Sequence, residues 1–102
     1  MTTQPSTAKL VGPIMRGVEG AVVDAVIGAI EIDNPDSEVL IDDQGGYVRI
    51  SVPDRCVLTR ASLEEELGRS MTLSELEPAL ASFAGRVKQT DTEFVWYLER
   101  QD

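Results

Sequence analysis

In residues 47–52, YVRISV, the chain changes character at every second position. Val48, Ile50 and Val52 are apolar, while Tyr47, Arg49 and Ser51 alternate with them. Strand side chains point to opposite faces in turn, so this segment needs one face under a covering layer and one toward solvent. Just before it, Asp43-Gln44-Gly45-Gly46 has the adjacent glycines that supply positive φ for a hairpin turn. The stretch 38–42 is the expected partner strand. Whatever covers this hairpin must come from elsewhere in the chain, which restricts the fold to layered arrangements of sheet and helix.

The cover is legible upstream. In residues 17–30, GVEGAVVDAVIGAI, the residues Val22, Val23, Val26, Ile27 and Ile30 recur at helix spacing and form one apolar stripe. Gly20 and Gly28 imply close packing or a soft helix. Before it, LVGPIMR at 10–16 reads as a strand, kept to an edge or to an unpaired site by Pro13. EIDNPDS at 31–37 is a turn-rich connection, since Pro35 pushes Asn34 out of the helical region. Pro53-Asp54 turns the chain into a strand at 55–60.

Two helix starts follow. Ser62 with Glu65, and Thr72 with Glu75, each have the S/T-x-x-E spacing of a capping box, and Gly68 is a left-handed stop between them. Leu73, Leu76, Leu80 and Phe83 continue at helix spacing, with Pro78 kinking or restarting the second helix. TEFVWYLER at 92–100 closes the chain as a strand, with Phe94, Trp96 and Leu98 on one face. The expected order is β-α-β-β-β-α-α-β: a single compact α+β domain, mainly antiparallel sheet with helices packed over it, spanning 9–102 behind a polar N-terminal tail at 1–8.

The chain has 102 residues, which suits one domain, and no apolar run long enough for a membrane span. Its N-terminus has no positive region followed by an apolar core, so the expected compartment is the cytoplasm. The net charge of −9 disfavours nucleic acid and anionic membranes and suits a protein partner with a basic patch, or serves solubility alone. There is no histidine, the commonest general base and transition-metal ligand, and Cys56 is the one cysteine. Dinucleotide and phosphate loops are missing as well.

The remaining candidate groups do not converge. Asp42-Asp43 would point to opposite sheet faces, and Glu64-Glu65-Glu66 would fan around a helix axis; both read as solvated surface. Asp33, Asn34, Asp36 and Glu38 lack the glycine and the distant glutamate of a calcium loop. Cys56, Phe94 and Trp96 read as core. Tyr47 and Arg49 fall on the outer hairpin face, where ordinary sheet surface is the default and a partner contact the alternative. The run from Ala79 to Gly85 is rich in small residues that let another backbone approach closely. It suits either docking on a partner helix or packing within the domain.

VGPIMR, EIDNP, YVRI and LTRASLEEELGRSMTLSELEPALASFAGR, in this order, resemble the effector (coupling, or regulatory) proteins of soluble di-iron multicomponent monooxygenases, the MmoB/DmpM family. The likeness runs from Val11 to Trp96 and is nearest to the effectors of toluene and alkene (isoprene) monooxygenases. It implies a protein with no cofactor and no reaction of its own, monomeric when free. Such a protein binds the di-iron hydroxylase, tunes its pocket and its access to substrate and oxygen, and works alongside a Rieske-type ferredoxin and a reductase. In relatives the segment matching Ala79, Ala81, Ser82 and Phe83 lies near the hydroxylase pocket entrance. Gly85, Asn34 and Pro35 of EIDNP, and Arg69 of LGR, are further expected contacts. Phe83 replaces the small polar residues of methane monooxygenase relatives. The competing readings are a generic acidic interaction module and a small carboxylate enzyme.

Overall fold

The computed structural model describes residues 9–17 and 20–98; the expected tail at 1–8 lies outside them. The domain is α+β, as the alternation and the apolar stripe require. β1 (Leu10–Arg16) leads to α1 (Gly20–Asp33), then β2 (Leu40–Asp43), β3 (Tyr47–Pro53) and β4 (Arg55–Thr59). α2 (Arg60–Leu67) and α3 (Leu73–Leu76) follow, then a 3-10 turn at Glu77–Ala79, β5 (Leu80–Ala84), β6 (Arg86–Gln89) and β7 (Glu93–Tyr97). The strands form two sheets, β2-β3-β1-β5 and β4-β7-β6, antiparallel in every pairing.

One core joins both sheets to the helices. The inner side of the four-stranded sheet supplies Val11, Met15, Val48, Ile50 and Val52; the three-stranded sheet supplies Cys56, Leu58, Phe94 and Trp96. α1 adds Val22, Val23, Val26 and Ile30 of the expected stripe, with Ala25 and Ala29 beside them. Leu63, Leu73 and Leu76 complete it. α1 lies antiparallel to α2, since Asp33 bonds Ser62 at one end while Gly28 sits against the Glu66 side chain further along.

Four expectations from sequence are corrected. The second helix does not run on through Ala79 to Phe83. Pro78 removes a helical donor and clashes with the preceding turn, so α3 stops at Leu76, one 3-10 turn follows, and residues 80–84 become a strand paired to β1. β5 and β6 are thus two strands beyond the expected order. α1 continues to Asp33, because Asn34 N–H still donates to the Ile30 carbonyl before Pro35 ends the helix. The cap of α2 is Thr59, whose hydroxyl accepts from Ser62 N–H, not Ser62 itself. Gly68 does close α2 at φ 77°, and the Thr72–Glu75 box caps α3 in both directions.

Candidate docking site

The inner face of the four-stranded sheet is filled by core, whereas its outer face leaves Asp42, Tyr47, Arg49 and Ser82 exposed among the described residues. Register places the outer residues: Arg49 opposes Ile14 and Asp42, Tyr47 opposes Arg16, and Ile14 opposes Ser82. Ile14, Asp42, Gln44, Tyr47, Arg49, Ala81 and Ser82 line an open groove of about 500 Å³ on this face. Tyr47 is 52% exposed. An exposed aromatic beside an arginine and small side chains is the composition favoured at protein interfaces. Two bonds shape the hairpin rim: Gln44 Nε2 donates to Asp42 Oδ1, and Gly45 N–H to Asp43 Oδ1.

β5 is the edge of this sheet and the wall between two grooves. Its pairing with β1 shifts register between Ile14 and Met15: Ser82 opposes Ile14 but Leu80 opposes Met15, leaving Ala81 as the extra residue of a bulge. Bulges re-aim neighbouring side chains. Ser82 therefore stands exposed on the outer face, while Phe83, opposite Pro13, leans the other way. There it joins Leu80, Val87, Phe94 and Trp96 around a second, apolar groove of about 250 Å³. Phe83 is 43% exposed, so it is neither core nor free surface but the lip of that groove. Trp96 is buried, stacks on Phe94 at 5.2 Å, and its Nε1–H has no acceptor among the described residues. At Gly85 the chain turns from β5 to β6 with φ 93°; a Cβ there would meet Val11 Cγ1 at 2.6 Å and the Tyr97 carbonyl at 2.8 Å.

The expected contact residues separate into distinct places. Ala81, Ser82, Phe83 and Gly85 lie together along β5 and its corner. Ala79 ends the 3-10 turn and is buried, 6% exposed. Asn34 is also buried: its amide donates to the Ile30 and Val57 carbonyls and accepts from Val57 N–H. Its side chain ties α1 to β4. Pro35 and Arg69 are exposed, but the antiparallel helix pair puts them toward opposite ends of α1 and α2. Ile14 and Gln44 were not singled out from the sequence, and Asp42 was read as solvated surface. The parity of Tyr47 and Arg49 and the expected contacts Ala81 and Ser82 each pointed to part of this face, but parity does not say which strand lies alongside.

Electrostatics divide the molecule. The exposed helix positions include Asp24, Glu31, Glu65 and Glu66, whereas the outer sheet face carries Arg16 and Arg49 with Asp42. Glu64 is not a free acid of that run. It accepts from Arg60 Nε and from Met71 N–H, both at 2.8 Å, and these bonds hold its carboxyl below the usual range, the Arg60 bond foremost. Burial, with Asp33 nearby, pushes the Cys56 thiol up to about 12. Among the described residues no three His, Cys, Asp or Glu side chains are placed to hold a metal ion.

A small α+β domain with an open groove on one sheet face, walled by an edge strand, has the architecture of a docking module. The chain belongs to the MmoB/DmpM family, whose model matches residues 9–97. It is 45% identical over 96 residues to the effector subunit of the alkene monooxygenase system of Xanthobacter autotrophicus strain Py2, covering 94% of this chain and 93% of that one. Two chains from structures of phenol hydroxylase–regulatory protein complexes share its fold. One has a TM-score of 0.74 at 28% identity, covering 89% of this chain and all of the other; the second has 0.65 at 27%. These relatives are named as effector and regulatory components, not as catalytic ones.

Proposed function

We propose that this chain is the cofactor-free effector subunit of a multicomponent hydrocarbon monooxygenase, and that it docks on the di-iron hydroxylase through the outer sheet face and β5. The observation that carries the reading is the near full-length match to an alkene monooxygenase effector subunit. The fold shared with chains from hydroxylase–regulatory protein complexes adds to it. The outer face supplies the surface: Tyr47 and Arg49 are exposed anchors, and Ser82 and Ala81 let a partner backbone approach.

The mechanism is a shift of population. An effector with no reactive group changes turnover only by binding one hydroxylase conformation better than another. Moving that equilibrium from 1:99 to 99:1 takes about 5.5 kcal/mol of differential affinity. The conformation selected has a reshaped pocket that admits substrate and oxygen and couples electron delivery to hydroxylation or epoxidation. A Rieske-type ferredoxin and a reductase supply the electrons. The free effector is a cytoplasmic monomer.

The test is reconstitution. Purified protein, free of iron and of visible absorption, should raise product yield per electron when added to the hydroxylase, ferredoxin and reductase of an alkene monooxygenase system. Stoichiometric iron in the effector, or turnover indifferent to it, would exclude the reading. A generic acidic module would leave product yield unchanged.

A further inference from the structure

Arg16 ends β1 on the outer face, and its Nε–H donates to the Pro78 carbonyl at 3.2 Å, 62 residues away. Pro78 lies in the 3-10 turn through which the chain enters β5. Immediately beyond that turn is the bulge, where Ala81 has no residue opposite it on β1. A bulge is the place where a strand pairing can migrate by one residue, and a one-residue slip sends each side chain to the other face. Here a slip of the turn-side segment would bring Ala81 opposite Met15, sending Leu80 from the inner side to the outer face and Ala81 the other way.

We infer that Arg16 is a positioning residue for the docking strand: by holding the Pro78 carbonyl it fixes where β5 begins and keeps Leu80 opposite Met15, with Ala81 left to line the outer groove. The consequence for docking rests on the effector reading above; the effect on β5 does not. The bond is a side-chain tether across the open end of β1–β5, with Met15–Leu80 the last backbone pairing before the turn. Its loss leaves the first half of β5 free to sample the alternative register.

Two variants separate the tether from the charge. Arg16→Gln puts an amide nitrogen at the position of Nε along the side chain and removes the charge. Arg16→Met keeps the length and has no donor. In the isolated protein, amide exchange at Leu80–Ser82 should rise roughly fivefold in Arg16→Met, the equivalent of one net hydrogen bond, and stay near wild type in Arg16→Gln. In hydroxylase assays titrated with effector, Arg16→Met should need several-fold more protein for half-maximal turnover, with the maximum unchanged, and Arg16→Gln should restore the wild-type curve. Unchanged exchange in Arg16→Met would overturn the inference, as would Arg16→Gln failing as badly as Arg16→Met, the mark of a direct charge contact. Faster exchange with an unchanged titration would remove the role in docking. No response to the wild-type protein at all would instead count against the effector reading.

Discussion

Asp33 and Asn34 are neighbours at the end of α1, and each fastens the helix to a different element. Asp33 accepts from Thr59 N–H and Thr59 Oγ1 through one oxygen and from Ser62 Oγ through the other. It thus anchors the cap of α2, a role no S-x-x-E pattern reveals. Asp33→Ala strands these donors, each worth about 1–3 kcal/mol when unsatisfied. The expected loss is about 2–4 kcal/mol in urea unfolding. Cys56 gives a pH signature. Its thiol ionises near 9 in the unfolded chain and near 12 in the fold, so stability is full below pH 9 and falls as pH rises between the two values. The slope is at most about 1.4 kcal/mol per pH unit. Cys56→Ala should flatten that decline in melts from pH 8 to 11, and the native thiol should resist alkylation at pH 8. At Ser82, an exposed outer-face position, Trp should leave melting within about 0.5 kcal/mol of wild type. Overfilling the groove should cost about 1–3 kcal/mol of binding, or roughly tenfold to a hundredfold in affinity. Full product yield at limiting effector would take Ser82 off the interface.

Among the elements, β5 shows how a helical pattern yields to its surroundings. Leu73, Leu76, Leu80 and Phe83 keep helix spacing, yet only the first two lie in a helix. Spacing describes which residues share a face once a helix exists. It does not supply the backbone donors that Pro78 removes, nor the partner that β1 offers at Gly12–Ile14. Four or five residues also satisfy both periods poorly enough that either fits. The corner after β5 then fixes the strand's exit. Gly85→Ala would force a side chain into positive φ and against Val11, at a cost of about 1–3 kcal/mol; chemical unfolding measures it. A change near zero would mean that the corner relaxes freely and does not hold β5.

At the scale of the molecule, unpaired edges and charge govern association. β2 carries Asp42 and Asp43, and β6 carries Arg86 and Lys88, charges that discourage edge-to-edge pairing. With a net charge of −9, copies also repel. Sedimentation at micromolar concentration should therefore report a monomer; a tight dimer buried over Tyr47 and Ser82 would remove the docking face. Association with the hydroxylase should slow as salt rises, since steering by a charged protein is screened within about 8–10 Å at physiological ionic strength. A rate indifferent to salt would rule out charge steering.

By itself the sequence determined what local physics can determine. The alternation of 47–52 required a half-buried strand, the stripe of α1 required a covered helix, Gly68 and the Thr72–Glu75 box marked helix ends, and Phe94, Trp96 and Cys56 were core. Family membership was legible too, because ordered segments carry it across most of the chain. The tertiary structure decided which strands lie side by side. That choice made residues 80–84 a sheet edge, set Ile14, Arg49 and Ser82 on one face, and turned Asn34 inward to β4. These are contacts between residues far apart in the chain, and their free energy comes from the partner each strand or side chain finds, which no window of local sequence contains.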